Sequence, residues 1–120
     1  MPNNHFISLD EACALNKKFR QKRETMLDAA YRNQEVLPKC ETFDREAFDH
    51  LLDRPGCVAV RVYLGMDNSN KIRLVIVGVD EEGRDMLPEF DLDEVNDNKI
   101  LEMGRRCPFD CPPTSPLNAD

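Results

Sequence analysis

Cys107 and Cys111, separated by Pro108-Phe109-Asp110, are the residues of this chain best equipped for chemistry. Two thiolates at that spacing suit half of a zinc site. They also suit a reversible disulfide. Structural zinc takes four ligands, and no second Cys/His pair appears in the chain. Cys57 and His50 complete a set only if the tail folds back, unless a second subunit supplies the missing ligands. The spacing also differs from a Cys-x-x-Cys redox motif, and Pro108 restricts the loop. A third reading is structural. Four of the eight prolines fall between Cys107 and Asp120, and proline cannot continue a helix. The segment is therefore expected to run extended, as a strap whose thiols are buried or idle.

Other constellations are weaker. Glu46, His50 and Asp53 share one helix face at four- and three-residue spacings, which suits a metal or an acid–base pair. A surface salt-bridge cluster is the commoner use of such a trio. Asp91, Asp93 and Asp97 lie close together, but they lack the glycine and the terminal glutamate of a calcium loop. Pro113-Thr-Ser-Pro116 has the Pro-x-x-Pro form of polyproline ligands, a form frequent by chance. No nucleophile elbow, phosphate loop or dinucleotide fingerprint is present, so no catalytic residue is assigned. Arg61 and Tyr63 stand out differently. They occupy alternate positions of a strand, on the face opposite its valines. An open face would make them a polar contact surface. A covered face would make Arg61 a buried charge that needs a carboxylate, with Asp80 or Asp85 nearest in sequence.

The elements that position these residues follow from periodicity. Ser8 and Glu11 form a capping box, and Ala12, Leu15, Phe19, Met26, Ala29 and Ala30 recur at helical spacing. A helix is expected over 9–32, about 36 Å long at 1.5 Å per residue. Its other face carries Lys17, Lys18, Arg20, Lys22 and Arg23. A helix of that length crosses the whole fold or projects to meet a partner. Residues 33–40 read as a linker stopped by Pro38. Thr42 or Asp44 then caps a second helix with Phe43, Ala47, Leu51 and Leu52 facing inward, ended by Arg54-Pro55-Gly56. Residues 57–64 alternate as a strand, with Val58, Val60, Val62 and Leu64 on one face. Residues 71–80 are a second strand, so apolar from Leu74 to Val79 that it must be central. The short turn between the two predicts an antiparallel hairpin. Met86–Leu92 reads as an edge strand because of Pro88, and Ile100, Leu101 and Met103 as an anchoring patch.

Composition sets further bounds. The 120 residues carry a net charge of −7. Residues 1–40 hold seven Lys/Arg against five Asp/Glu; residues 41–120 hold nine against eighteen. That balance argues against general nucleic-acid binding. No apolar run is long enough to span a membrane, and the amino terminus does not read as a signal peptide. A cytoplasmic location is the resulting expectation. There the five cysteines favour free thiols or metal ligands. Cys13, Cys40 and Cys57 read as small buried hydrophobes.

Several segments taken in order are distinctive: Phe43-Asp-x-x-Ala47, Leu51-Leu-x-x-Pro-Gly56, Arg61-x-Tyr-x-Gly65, Leu74-Val-x-Val-Gly-Val-Asp80 and the run from Cys107 to Asn118. Together they resemble a family of small bacterial proteins with a Cys-Pro-rich carboxyl end. The resemblance implies no activity; it makes the tail a regular part of the protein.

The expected architecture is one α+β domain. It has an arm (1–7), a helical part (8–56), a small antiparallel sheet (57–103) and an extended tail (104–120). The expected function is a non-enzymatic binding or regulatory module that uses Arg61 and Tyr63 or the tail. Its partner would be another protein or a second copy met through the first helix, and no cofactor is required. Two alternatives are a zinc or thiol-redox protein built on Cys107 and Cys111, and an acidic inhibitor of a basic protein.

Overall fold

The computed structural model describes residues 5–88, 100–102, 104–107 and 109–119. Its elements are α1 (Leu9–Lys22), a short 3-10 turn (Ala29–Tyr31), β1 (Cys40–Thr42), α2 (Arg45–Leu52), β2 (Ala59–Met66), β3 (Ile72–Val79), β4 (Ile100–Leu101) and β5 (Arg105–Cys107). They build two antiparallel sheets, one of order β2-β3-β4 and one pairing β1 with β5. The class is α+β.

The larger sheet follows from the two-faced pattern of β2 and the continuous apolar run of β3. β2 and β3 pair along their full length, from Ala59 opposite Val79 to Met66 opposite Ile72. Both of its ends are fixed by aspartate turns. Asp67 Oδ1 accepts the amides of Ser69 and Lys71. Asp80 Oδ1 accepts those of Glu82 and Arg84, and Gly83 there takes a φ of +79°. These side chains replace backbone partners in the turn. β3 is central, with Ile76–Val79 buried. α2 closes one end of the sheet. Leu51 is completely enclosed beside Ile76 and Leu101, with Phe43, Ala47 and Phe48 packed around them. Enclosing one such leucine contributes about 2 kcal/mol. Gly104 lets the chain pass this cluster, since a Cβ there would stand 2.7 Å from the Phe43 ring.

The second region is held by arginines. Arg106 of β5 is 5% exposed. It pairs with Glu41 of β1 at 3.3 Å and donates to the carbonyls of Glu35, Val36 and Ile72. Arg23, 7% exposed, donates to the Leu37 carbonyl and pairs with Glu24 and Glu35. Between these two guanidinium groups Glu35 adopts a φ of +57°, a left-handed conformation costing a non-glycine residue about 1 kcal/mol.

Five sequence expectations need correction. The first helix ends at Lys22, not Arg32. Arg23 turns inward as a clamp, and the Thr25 hydroxyl donates to the Lys22 carbonyl. Residues 33–40 are not a loose linker: Val36 is 2% exposed, and its carbonyl accepts the Ile72 amide at 2.7 Å. Thr42 lies in β1 and Asp44 is the α2 cap residue, while Leu52 faces outward. The tail starts as a strand and later turns back, with Asn118 bonded to Ser115 and Pro113. Of the expected edge strand at Met86–Leu92, the described part holds no strand; Asp85 alone bridges Val79. Residues 89–92, like Asp91, Asp93, Asp97 and Met103, lie outside the described residues.

Candidate functional site

β2 is the outer strand of its sheet among the described residues. Two hydrogen bonds fix which of its backbone groups face outward. The Ile72 amide donates to Val36, and the Gly78 carbonyl accepts from Met86. Both β3 groups therefore point away from β2. Their partners across the ladder are Met66 and Val60. Residues opposite one another in an antiparallel pair turn together toward or away from each other. Val60, Val62, Leu64 and Met66 consequently present their own amides and carbonyls to the outer edge, which no strand covers among the described residues. Their side chains also share one face, and all are exposed, from 38% at Val60 to 73% at Leu64.

Arg61 and Tyr63 sit on the other face of the same strand, as the alternation requires. Both converge on Asp85, which the turn after β3 carries back over the strand. Arg61 Nη1 donates to Asp85 Oδ1 at 2.6 Å, and the Tyr63 hydroxyl donates to Oδ2 at 2.5 Å. Arg61 Nη2 also reaches the Gly83 carbonyl at 3.2 Å. The Tyr63 hydrogen bond holds the Asp85 carboxyl below its ordinary range; partial burial opposes this, and Arg61 adds to it. The same contacts, Asp85 first, raise Arg61. The carboxylate partner required of a covered Arg61 is therefore present. Arg61 is half-buried, whereas the valine side of β2 is the more open one.

Cys107 and Cys111 are joined as a disulfide, with Cα atoms 4.4 Å apart. In that state neither sulfur is the thiolate that zinc requires. Cys57 and His50 do not join them; Cys57 lies beside Gly78 instead. Among the described residues no group of three His, Cys, Asp or Glu side chains is placed to hold a metal ion. Glu46, His50 and Asp53 line a shallow depression along α2. The tail bounds a second groove of about 610 Å³ between α1, β1 and β5. Arg20 and Asn16 of α1 donate to the Leu117 carbonyl across it. Two of the basic residues expected on the free face of α1, Arg20 and Arg23, are thus engaged within the chain.

Sequence reasoning missed Arg106, Glu41 and the cross-strand position of Cys40. The only available signal was the Arg105-Arg106-Cys107 run against Cys40-Glu41, two short segments of opposite charge far apart in the chain.

Comparison with known proteins adds no name: no family model, no curated protein and no solved structure matches this chain.

Proposed function

We propose that this chain is a small protein-interaction module whose working surface is the open edge of β2. One observation carries the reading: the outward backbone groups of Val60, Val62, Leu64 and Met66 stand beside their own exposed apolar side chains. Natural sheet edges are usually blunted by lysine, proline or a covering element, because a bare edge recruits another strand. The only charge in β2 is Arg61, and Asp85 neutralises it.

A second copy of the chain meets the edge without conflict. A two-fold pairing centred on Val62 sets Val60 opposite Leu64 and Arg61 opposite Tyr63 of the second copy. All valine-side residues then lie on one face, and each guanidinium meets an aromatic ring, a contact worth about 0.5–1 kcal/mol. No like charges oppose one another. Membership of the resembled bacterial family and a cytoplasmic location belong to this proposal. Among the described residues no helix is long and apolar enough to cross a membrane.

The test is sedimentation of the wild type and of Val62→Lys over a wide concentration range. Val62 is 52% exposed, so the substitution should leave folding within about 0.5 kcal/mol. The reading expects a reversible wild-type dimer that the lysine variant loses. A wild type that sediments as a monomer at every concentration, or a dimer that Val62→Lys leaves intact, would contradict it.

A further inference from the structure

We infer that Cys40, Cys107 and Cys111 form a thiol–disulfide exchange site, with the tail groove receiving a low-molecular-weight aliphatic disulfide. This goes beyond the interaction surface on β2 and is independent of it. Cys40 is the residue directly opposite Cys107 in the β1–β5 ladder, and it carries a free thiol. Residues facing one another across two antiparallel strands hold their Cβ atoms about 4.5–5.5 Å apart. A disulfide needs about 3.5–4.5 Å, so a small approach of the strands suffices. The Lys39 amide already ties this end of β1 to the Cys107 carbonyl at 3.0 Å. All three cysteines line the groove of about 610 Å³, a volume in the range of small-molecule sites. Cys107 is buried and Cys111 exposed.

The chemistry follows from that placement. The Cys40 thiol loses its proton, and the thiolate attacks Cys107 Sγ. The Cys107–Cys111 bond breaks as a Cys40–Cys107 bond forms, and Cys111 leaves as a thiolate. The Cys40 lone pair makes the new bond and the old bonding pair departs on Cys111; one disulfide replaces another with no net oxidation, so the internal step needs no oxidant. The released Cys111 thiolate faces the groove and attacks the small disulfide. One half of that molecule remains on Cys111 as a mixed disulfide; the other departs as a thiolate and takes up the proton. The buried sulfur is thereby the hub shared by two alternative bridges, and the exposed sulfur meets the substrate. In a reducing compartment a bonded pair is more often reactive than structural, which agrees with this use.

Oxidised glutathione is the probe. The intact chain is incubated with it at mildly alkaline pH, quenched with acid, alkylated and mapped by mass spectrometry. The expected product carries a Cys40–Cys107 bridge with glutathione on Cys111. Cys40→Ser should keep the Cys107–Cys111 bridge and take up glutathione on Cys111 at least about tenfold more slowly, because no internal thiolate is left to release it. Cys111→Ser provides the second measurement: under mild oxidation it should form the Cys40–Cys107 bridge alone. Equal glutathione uptake by wild type and Cys40→Ser, or failure of Cys111→Ser to form that bridge, would overturn the assignment.

Discussion

The two halves of this molecule are held together by different physics. The sheet β2-β3-β4 and α2 close on aliphatic and aromatic side chains, with Leu51, Ile76 and Leu101 at the centre. The segment around β1 and β5 closes on guanidinium groups that gather backbone carbonyls: Arg106 binds those of Glu35, Val36 and Ile72, and Arg23 that of Leu37. α1 contributes no buried residue to either half. An apolar core resists change in proportion to the surface it hides and tolerates substitutions of similar shape. A charge clamp is less forgiving, because removing one partner leaves the other buried and uncompensated.

That contrast is broken most severely at Arg106. Its partner Glu41 has a side chain only 2% exposed. Arg106→Ala should therefore cost about 4 kcal/mol, the range for splitting a buried ion pair, read from urea unfolding. Replacing both residues together, Arg106→Met with Glu41→Leu, should recover much of that loss. A single variant within 1 kcal/mol of wild type would show that the clamp region contributes little. Leu51→Ala comes next, at about 3 kcal/mol for a deleted core leucine. Its loss should not depend on salt, since nothing charged is involved.

The smallest expected effect concerns acid. Asp67, Asp80 and Asp85 are all held below the ordinary carboxylate value. The Lys71 amide is the leading cause for Asp67, the Arg84 amide for Asp80 and the Tyr63 hydroxyl for Asp85. A carboxyl that binds protons less tightly when folded stabilises the fold above its unfolded value, about 4. The stabilisation is lost as pH falls through the lower folded values. Unfolding midpoints should thus be flat from pH 7 to 5 and drop below pH 4. Asp85→Asn should make the drop shallower, and an unchanged acid limb in that variant would remove Asp85 from the account.

The same contrast explains what could be read from sequence. β2 sets its valines on one face and Arg61 and Tyr63 on the other, and β3 is an unbroken apolar run; each spans eight residues, long enough for its pattern to register. The start of α1 was legible because Ser8 accepts the Glu11 amide, as its capping box requires. α2 was legible from the spacing of Phe43, Ala47 and Leu51. The arginine-held half was not. β1 and β5 span three residues apiece, too few for any period, and a buried arginine reads in sequence as a surface charge. α1 reads too long in sequence for the same reason, since Arg23 there continues a basic face and is instead the clamp beyond the helix end. The alternation puts Arg61 and Tyr63 on one strand face, but it does not say whether that face is open or covered; in the structure Arg61 is half-buried and Tyr63 exposed. Asp85 comes from beyond the next strand, and only the hairpin brings it over them.

The central claim is that the outer edge of β2 is a site where another strand pairs. Backbone amide exchange at Val60, Val62, Leu64 and Met66, followed as protein concentration is raised, tests it most directly. If a second copy pairs there, these four amides become protected together with increasing concentration, while those of Ala59, Arg61 and Tyr63, which face away from the edge, do not change. If the four amides exchange rapidly at every concentration at which the wild type sediments as a dimer, the copies meet elsewhere and the β2 edge is not the working surface.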